Sequence, residues 1–376
     1  MTDVAWLAML PSNPLPWLLA SAEPAARWTT LVELLDQPSG DPEVRAARQA
    51  VLVDEATREL LDRLPDWEQP QRISGHDAPA FAPSLLNLLG DLGVAEDDDA
   101  RIARLLDRML EHVDDEGRFA TLGALRGKGE PRWGALLCDT HAIADVLVRF
   151  GRGADPRVRR ALSRAAGDVE GTAQGHAWPC RPDDASGFRG PGRRADFCPL
   201  VTLEALRAFS RLAEAERPPW LIDVARVSLR AWRERGSEKP YLFGHGLQFK
   251  TVKWPPTWYG AHLVLDVLGR YPGLWRGADA RPEDRRALAE LAACLVAYNV
   301  SPDGVVIPRS VRQGFGSFSF GQKKLPSAWA TARLGVVLRR LGDLAGDVAE
   351  VDVAALVSSR GGTGTAILPR GPAPRG

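Results

Sequence analysis

The chain has 376 residues, of which 45% are hydrophobic, and its 48 basic residues balance its 48 acidic ones. Because a balanced charge creates no overall field that attracts nucleic acid or an anionic membrane, we expect a small or neutral partner and no nucleic acid. Length alone does not decide the number of domains, since repeat folds are often long.

The first 20 residues are apolar, but they contain Asp3 and are interrupted by Pro11, Pro14 and Pro16. This pattern suits neither a signal peptide nor a transmembrane helix, so we expect no targeting or transmembrane segment. The four cysteines are scattered along the chain and form no dense framework. They favour reduced thiols and a cytoplasmic location.

Six stretches share one pattern, in which small, Cys or Trp residues near a proline precede apolar residues at i, i+3, i+4 and i+7. This spacing predicts an amphipathic helix. The stretches begin at Pro24, Ala80, Leu136, Asp196, Pro256 and Pro326. Subtracting residue numbers gives an offset of 60 from Cys138 to Cys198 and again from Cys198 to Trp258. A constant offset of this size indicates a repeated structural unit.

A second, more charged helix is predicted after most of these helices. The charged helices begin at Asp41, Asp98, Asp155, Trp220 and Arg281, and a weaker closing helix is predicted over 347–359. Asp and Pro suit a helix start, because a carboxylate complements the exposed N–H groups and proline has no N–H to leave unpaired.

Most of the charged helices are followed by a turn that ends in an aromatic residue. These residues are Trp67, Phe119, Trp178 and Phe243, and an aliphatic residue replaces them in the turn from Ser301. One helix pair cannot bury its apolar face alone. We therefore expect each aromatic residue to wedge between neighbouring pairs.

The order of helix, charged helix and Gly-x-aromatic turn, with the fragment DPRVRRA from Asp155, resembles the squalene-cyclase-like repeat of terpenoid cyclases and protein prenyltransferases. The resemblance extends from Trp17 to about Leu344. It implies an all-α fold, an (α/α)6 toroid of about six helix pairs around a central cavity. The alternative is an open solenoid of HEAT-like pairs, but six pairs favour closure. We expect residues 1–360 to form this single domain and the Gly/Pro-rich residues 361–376 to form a disordered tail.

The cyclising members of that family start their reaction with an Asp-x-Asp-Asp-Thr motif at the beginning of an inner helix. In the matching stretch here only Asp139 and Thr140 agree, and Cys138 stands where the proton donor would be. A thiol, with an ordinary pKa of about 8.5, is too weak an acid to protonate an alkene. Asp139 is then the candidate donor if burial favours its protonated form, and the alternative is a helix-capping carboxylate. His141 and Asp196 complete the candidate catalytic set.

A zinc site is a second interpretation, because some toroids of this superfamily bind zinc with residues at inner-helix starts. Cys138 and Cys198 hold equivalent places in adjacent repeats, and the repeat pattern brings other ligand types near them: Asp139, His141, Asp196 and His76. No CxxC or HxxxH pair anchors such a site. We therefore expect no metal or other cofactor, and two buried thiols that pack as small apolar groups.

The candidate substrate-binding residues are of two kinds. Some are aromatic residues near the six helices with the shared pattern, and the others are polar residues in the two long loops before the fifth and sixth of these helices. They are Trp178, Trp258, Tyr259 and Trp329, and His245, Lys253, Gln322 and Lys323. Aromatic faces can stabilise a carbocation or pack against an isoprenoid, and long loops often carry ligands. Core packing and solvated loops are the alternatives.

These features predict a terpene-cyclase-like enzyme that acts on an apolar, isoprenoid-derived substrate by acid or electrostatic catalysis in an aromatic-lined cavity. The alternatives are a zinc-dependent enzyme on the same toroid and a non-catalytic toroid that binds a ligand or peptide. The non-catalytic alternative is favoured if the cavity holds no ionisable group with a perturbed pKa.

Overall fold

The structure is a computed structural model that describes residues 4–72, 78–124, 129–184 and 187–358. The predicted tail, 361–376, and the candidate ligand His76 lie outside the described residues. The chain is mostly helical, with 55% of it in helices and 7% in strands. The helical prediction is thus confirmed, but an all-α description is corrected by the short strands between the helices.

The helices are α1 (Leu15–Leu19), α2 (Pro24–Thr29), α3 (Pro42–Val53), α4 (Glu55–Asp62), α5 (Ala82–Leu92), α6 (Ala100–Glu111), α7 (Leu137–Arg149), α8 (Pro156–Gly167), α9 (Pro199–Ser210), α10 (Leu221–Arg233), α11 (Gly246–Lys250), α12 (Ala261–Leu268), α13 (Pro282–Asn299), α14 (Ala328–Arg340), α15 (Ala345–Ala349) and α16 (Val353–Ser358). Helix α2 continues as a π-helical segment, Thr30–Leu34.

Among the described residues, three small sheets lie in the connections between helices. Their strands are β1 (Gln71–Arg72), β2 (Thr121–Ala124), β3 (Arg132–Gly134), β4 (Glu170–Thr172), β5 (Gly175–Ala177), β6 (Lys253–Trp254) and β7 (Ser310–Val311). In the first sheet, β2 pairs in parallel with β1 and antiparallel with β3. Strands β4 and β5 form an antiparallel pair, and β6 and β7 form a parallel pair.

Six helices of the described chain contact one another in cyclic order: α2, α5, α7, α9, α12 and α14, with α14 meeting α2. We call them the core helices. They coincide with the six stretches that the periodicity predicts, and nearly every residue of α7, α9, α12 and α14 is buried. Burial on all sides explains why these helices carry so few exposed polar residues.

The more charged helices pack against the core helices, and α3, α8, α10 and α13 contact α2, α7, α9 and α12 respectively. Three of the charged helices begin at an Asp whose carboxylate accepts a backbone N–H two residues on: Asp41, Asp99 and Asp155, at 2.8, 2.9 and 2.8 Å. Such a cap stabilises a helix by about 1 kcal/mol. The caps explain why the charged helices start where the sequence predicts.

The aromatic residues of the turns are completely buried, as predicted. Trp67, Phe119, Trp178 and Phe243 are at most 1% exposed. Trp178 donates its indole N–H to the carbonyl oxygen of Ala165 in α8, at 2.7 Å, and its ring packs against Phe209 of α9. The side chain therefore joins one helix pair to the next. Among the described residues, no helix is both long and apolar enough to span a membrane.

Candidate functional site

A polar pocket with a cavity volume of about 60 Å³ lies among five of the core helices. Since a cavity must offer about 10–15 Å³ to hold one water molecule, this one has room for a few water molecules. Its lining is largely charged or polar and includes Ser84, Asn87, Asp91, Arg149, Glu204, Arg207, Arg211, Thr257, His262, Asp266, Arg270, Trp329 and Arg333.

The seam between α7 and α9 beside this pocket is held by the carboxylate of Asp145, which is fully buried. Arg207 pairs with it at 2.8 Å, Arg211 forms a second ion pair, and the side-chain amide of Asn87 donates to it at 2.8 Å. Burial opposes ionisation, but the two guanidinium groups hold the pKa of Asp145 well below its usual range. The seam therefore contains a permanent anion.

A second set of ion pairs joins the first, second and last core helices. Arg333 of α14 is 6% exposed and reaches Glu33, which follows α2, at 2.6 Å and Asp91 of α5 at 3.2 Å. Asp91 also pairs with Arg149 of α7 at 2.8 Å. Burial disfavours the charged form of the Arg333 side chain, but the negative charges of Asp91 and Glu33 outweigh this effect and raise its pKa. The cation therefore stays charged and links three helices.

Glu204 of α9 has the most informative carboxyl group in the pocket. It lines the cavity and pairs with Arg207 at 2.5 Å. Burial raises its pKa to about 7; Arg207 opposes this shift, and repulsion from Asp145 adds to it. A carboxyl group that titrates near neutral pH can both donate and accept a proton at the working pH of most enzymes. It has the properties of a general acid or base.

A small pocket adjoins the polar pocket, has a cavity volume of about 10 Å³ and shares Ser84, Glu204 and Arg207 with it. Cys138 and Asp139, at the start of α7, also line it. Asp139 accepts a hydrogen bond from the Thr121 hydroxyl at 2.8 Å. Burial raises the pKa of the Cys138 thiol. The pocket thus brings a predicted catalytic residue, Asp139, next to Glu204, which the sequence analysis missed.

The other two predicted catalytic residues lie elsewhere in the described chain. His141 is buried with its Nδ1 3.1 Å from the carbonyl oxygen of Val201, and its ring meets the edge of Trp178. Burial lowers its pKa to about 4, so it is neutral at pH 7. Asp196 pairs with Arg193 at 2.7 Å and accepts from the Gln174 amide at 3.1 Å. Neither residue lines either pocket.

The predicted substrate-binding residues do not form one cluster. Trp329 lines the polar pocket, Trp178 is buried between helix pairs, and Tyr259 is buried with its hydroxyl donating to the carbonyl oxygen of Tyr241 at 2.6 Å. The other five predicted residues are half-exposed or exposed: His245, Lys253, Trp258, Gln322 and Lys323. Of the eight, the pocket lining brings in Trp329.

The zinc interpretation finds little geometric basis in the described residues. Cys138 and Cys198 are free thiols near the starts of α7 and α9. Within the part of the chain that the structure describes, no group of three or more His, Cys, Asp or Glu side chains is placed to hold a metal ion. His76 lies outside that part.

A sequence signal for the charged lining does exist. Four core helices end in an arginine, or are followed by one within two residues, and a large apolar residue comes next: Arg149, Arg211, Arg270 and Arg340. These side chains pair with Asp91, Asp145 and Asp266, as in the ion pair from Arg340 to Asp266 at 2.6 Å. Arginine at the same place in successive repeats could have predicted that the core helices meet at a charged end.

No protein-family model matches the chain, and no curated protein matches it in sequence. The geometry of the two pockets therefore carries the functional argument.

Proposed function

We propose that the protein is an enzyme built as an (α/α)6 toroid, in which Glu204 transfers a proton to or from a substrate in the polar pocket. The observation that carries this proposal is a buried carboxyl group with a pKa of about 7 in the lining of a cavity. A group with a perturbed pKa in a cleft is a functional candidate, because most structural carboxylates have no need to titrate near neutrality.

Closure of the toroid is supported by contacts between the first and last core helices. Arg333 of α14 pairs with Glu33, and Arg339 donates to the carbonyl oxygen of Glu33 at 2.7 Å. At the other end of the same helix, Glu23 accepts the backbone N–H of Trp329 at 3.0 Å. Two separated sets of contacts between segments some 300 residues apart in the sequence are expected of a closed ring and not of an open solenoid.

Asp139 is the second carboxyl group of the proposed site. Both carboxyl groups line the small pocket, and the charge of Asp139 contributes to the raised pKa of Glu204. Two carboxyl groups in different environments can divide the work of acid and base between them. We propose that Glu204 is the acid in the resting enzyme, while Asp139, held by Thr121, orients a substrate or water in the small pocket.

The ionic lining and the small cavity favour a small polar substrate over the long isoprenoid that the family resemblance implies. Arg207 offers N–H groups to a carboxylate or carbonyl oxygen beside the proton donor. The isoprenoid substrate and the terpene-cyclase reaction stay predictions. The non-catalytic alternative is less favoured, because a cavity without a perturbed ionisable group would favour it and Glu204 lines this one. The free state of all four cysteines suits the predicted cytoplasmic location.

Proton transfer can be tested in D₂O, where a general acid or base that exchanges a proton with a carbon atom leaves deuterium in the compound. Two probe classes are incubated with the protein: small 2-oxo acids, and isoprenoid alkenes and epoxides. We expect deuterium in a 2-oxo acid with the wild-type protein, and a loss of about 10²–10⁴-fold in the Glu204→Gln variant.

The matched control is Glu43→Gln, because Glu43 is an exposed glutamate on α3 that pairs with Arg27. It should exchange deuterium like the wild-type protein. Equal exchange by wild type and Glu204→Gln would contradict the role of Glu204. Exchange into the isoprenoid probes instead would favour the terpene-cyclase reaction, and exchange into neither class would contradict the proposed enzyme.

A further inference from the structure

Cys180 and Cys198 are brought together by the backbone. Pro179 and Phe197 form an antiparallel bridge, and the backbone N–H of Cys198 donates to the carbonyl oxygen of Trp178 at 2.8 Å. In an antiparallel pair, residues on either side of a bridged pair point to the opposite face from it. The two cysteine side chains therefore share a face of this pair, close enough for each to shift the pKa of the other.

The Cys180 sulfur lies among hydrogen-bond donors. The backbone N–H of Gly190 donates to it at 3.2 Å, and the Tyr241 hydroxyl faces it. The neighbouring Cys198 thiol, the Gly190 N–H, the nearby Tyr241 hydroxyl and the charge of Arg189 lower the pKa of Cys180 to about 6, although burial opposes the shift. The second thiol differs, because the neighbouring Cys180 and its own burial raise the pKa of Cys198. At neutral pH one sulfur is a thiolate and the other a thiol.

This arrangement is built into the backbone around Tyr241. Tyr241 has a φ of 51°, which is unusual for a residue other than glycine, and its carbonyl oxygen accepts from the Tyr259 hydroxyl. A Cβ atom at Gly192 would lie 2.1 Å from the Tyr241 ring, and one at Gly190 would lie 3.1 Å from it. The two glycines therefore allow the loop to lie flat on the ring and to present the Gly190 N–H to the thiolate.

The two sulfurs also differ in access. Cys180 is half-buried, whereas Cys198 is 6% exposed. A small reagent can approach Cys180 from solvent, whereas burial shields Cys198. Reactive cysteines are typically accessible, of low pKa and close to a second thiol that resolves the first product.

We propose that Cys180 and Cys198 are a redox-active thiol pair, in which Cys180 attacks a low-molecular-weight disulfide and Cys198 resolves the product. The Cys180 thiolate attacks one sulfur of the reagent, forms a mixed disulfide and releases one thiolate. Cys198 then loses its proton to solvent and attacks the Cys180 sulfur, which releases the second thiolate. The two cysteines are oxidised to one disulfide, and the reagent is reduced to two thiols.

The test uses oxidised glutathione with the full chain at pH 7, followed by mass spectrometry of the intact protein and of its peptides. We expect the wild-type protein to lose two hydrogens and to give a disulfide between Cys180 and Cys198. The Cys198→Ser variant should stop at one glutathione on Cys180, and Cys180→Ser should take up none. Cys294→Ser, which changes a buried thiol of α13, is the control and should behave like wild type.

A second measurement does not depend on disulfide formation. At pH 7, iodoacetamide should alkylate Cys180 at least about 10-fold faster than Cys294 in the folded protein, because the thiolate is the nucleophile. Tyr241→Phe removes a hydroxyl that lowers the pKa of Cys180 and should slow this reaction. The proposal is overturned if Cys180 reacts no faster than Cys294, or if oxidation links Cys180 to Cys138 or leaves both Cys180 and Cys198 reduced.

Discussion

Two buried carboxyl groups that share one arginine behave in opposite ways. Asp145 forms an ion pair with Arg207 and accepts hydrogen bonds from Arg211 and Asn87, and its pKa is lowered in spite of its burial. Glu204 shares Arg207 with it and is repelled by its charge, and its pKa is raised. When the environment lowers the pKa of one such group and raises that of the other, the second is available as a proton donor while the first stays a fixed anion. Asp145 is therefore the structural partner and Glu204 the chemical one.

The raised pKa of Glu204 predicts a pH-dependent stability. Its pKa is about 7 in the folded protein against an ordinary value of 4.5. Because the folded state holds this proton more tightly, its contribution is complete below about pH 4.5 and is lost as the pH rises through 7. Urea denaturation should show that Glu204→Gln becomes more stable relative to wild type between pH 5 and pH 8, by up to about 3 kcal/mol.

The comparison between the two proteins removes most other titrations. The pKa of both His141 and His262 is lowered to about 4 by burial, so each contributes stability that is lost as the pH falls from about 6.5 through 4. These losses occur in wild type and variant alike. A stability difference that does not change with pH would show that Glu204 is not a buried acid of raised pKa.

Glu204 could not be predicted from the sequence by periodicity. It lies in the apolar stretch LVTLEALRAF, where a single acidic residue is easily taken as the exposed side of an amphipathic helix. Its arginine partners lie on or directly after its own helix, but the carboxylates that repel it, Asp139 and Asp145, come from α7, about 60 residues earlier. Asp139 was predicted because the family resemblance marks its position. That residue reaches the small pocket, whereas His141 and Asp196 face other parts of the core.

The helices themselves were largely predictable, because their signals are local. Apolar spacing and Asp caps mark where they begin. An Asp cap also explains why the structure divides one predicted helix. The sequence predicts one charged helix from Asp41 to Leu64, but the structure has two, α3 and α4. Asp54 is extended and its carboxylate accepts the N–H of Thr57 at 3.1 Å, so it starts a new helix.

The α7–α9 seam should depend strongly on Asp145. Asp145→Asn leaves the buried Arg207 and Arg211 without their shared anion, and breaking a buried ion pair from one side destabilises a protein by about 3–5 kcal/mol. Urea denaturation at pH 7 should show a loss of this size. The exposed pair of Glu43 with Arg27 gives the control, because Glu43→Gln should change stability by less than about 1 kcal/mol. A similar small effect at Asp145 would mean that the seam is held by apolar packing alone.

At the scale of the whole molecule, ion pairs and hydrogen bonds join neighbouring core helices in addition to the apolar contacts between them. Asp91 to Arg149 joins α5 to α7, and Asp145 to Arg211 joins α7 to α9. The Tyr271 hydroxyl donates to the carbonyl oxygen of Leu206, between α12 and α9, at 2.5 Å. These contacts join positions far apart in the sequence, which is why repeat spacing predicts the units but not which residues pair between them.

The central claim is that the six core helices close into a ring and so enclose the pocket that holds Glu204. The most direct measurement is a double-mutant cycle between Glu33 and Arg333, which pair at 2.6 Å between the first and last core helices. From urea denaturation of wild type, Glu33→Gln, Arg333→Gln and the double variant, we predict a coupling energy of about 1–3 kcal/mol. A cycle between Glu43 and Arg333 should be additive. If the ring is open, Glu33 and Arg333 are independent as well, and a coupling energy below about 0.5 kcal/mol would contradict closure.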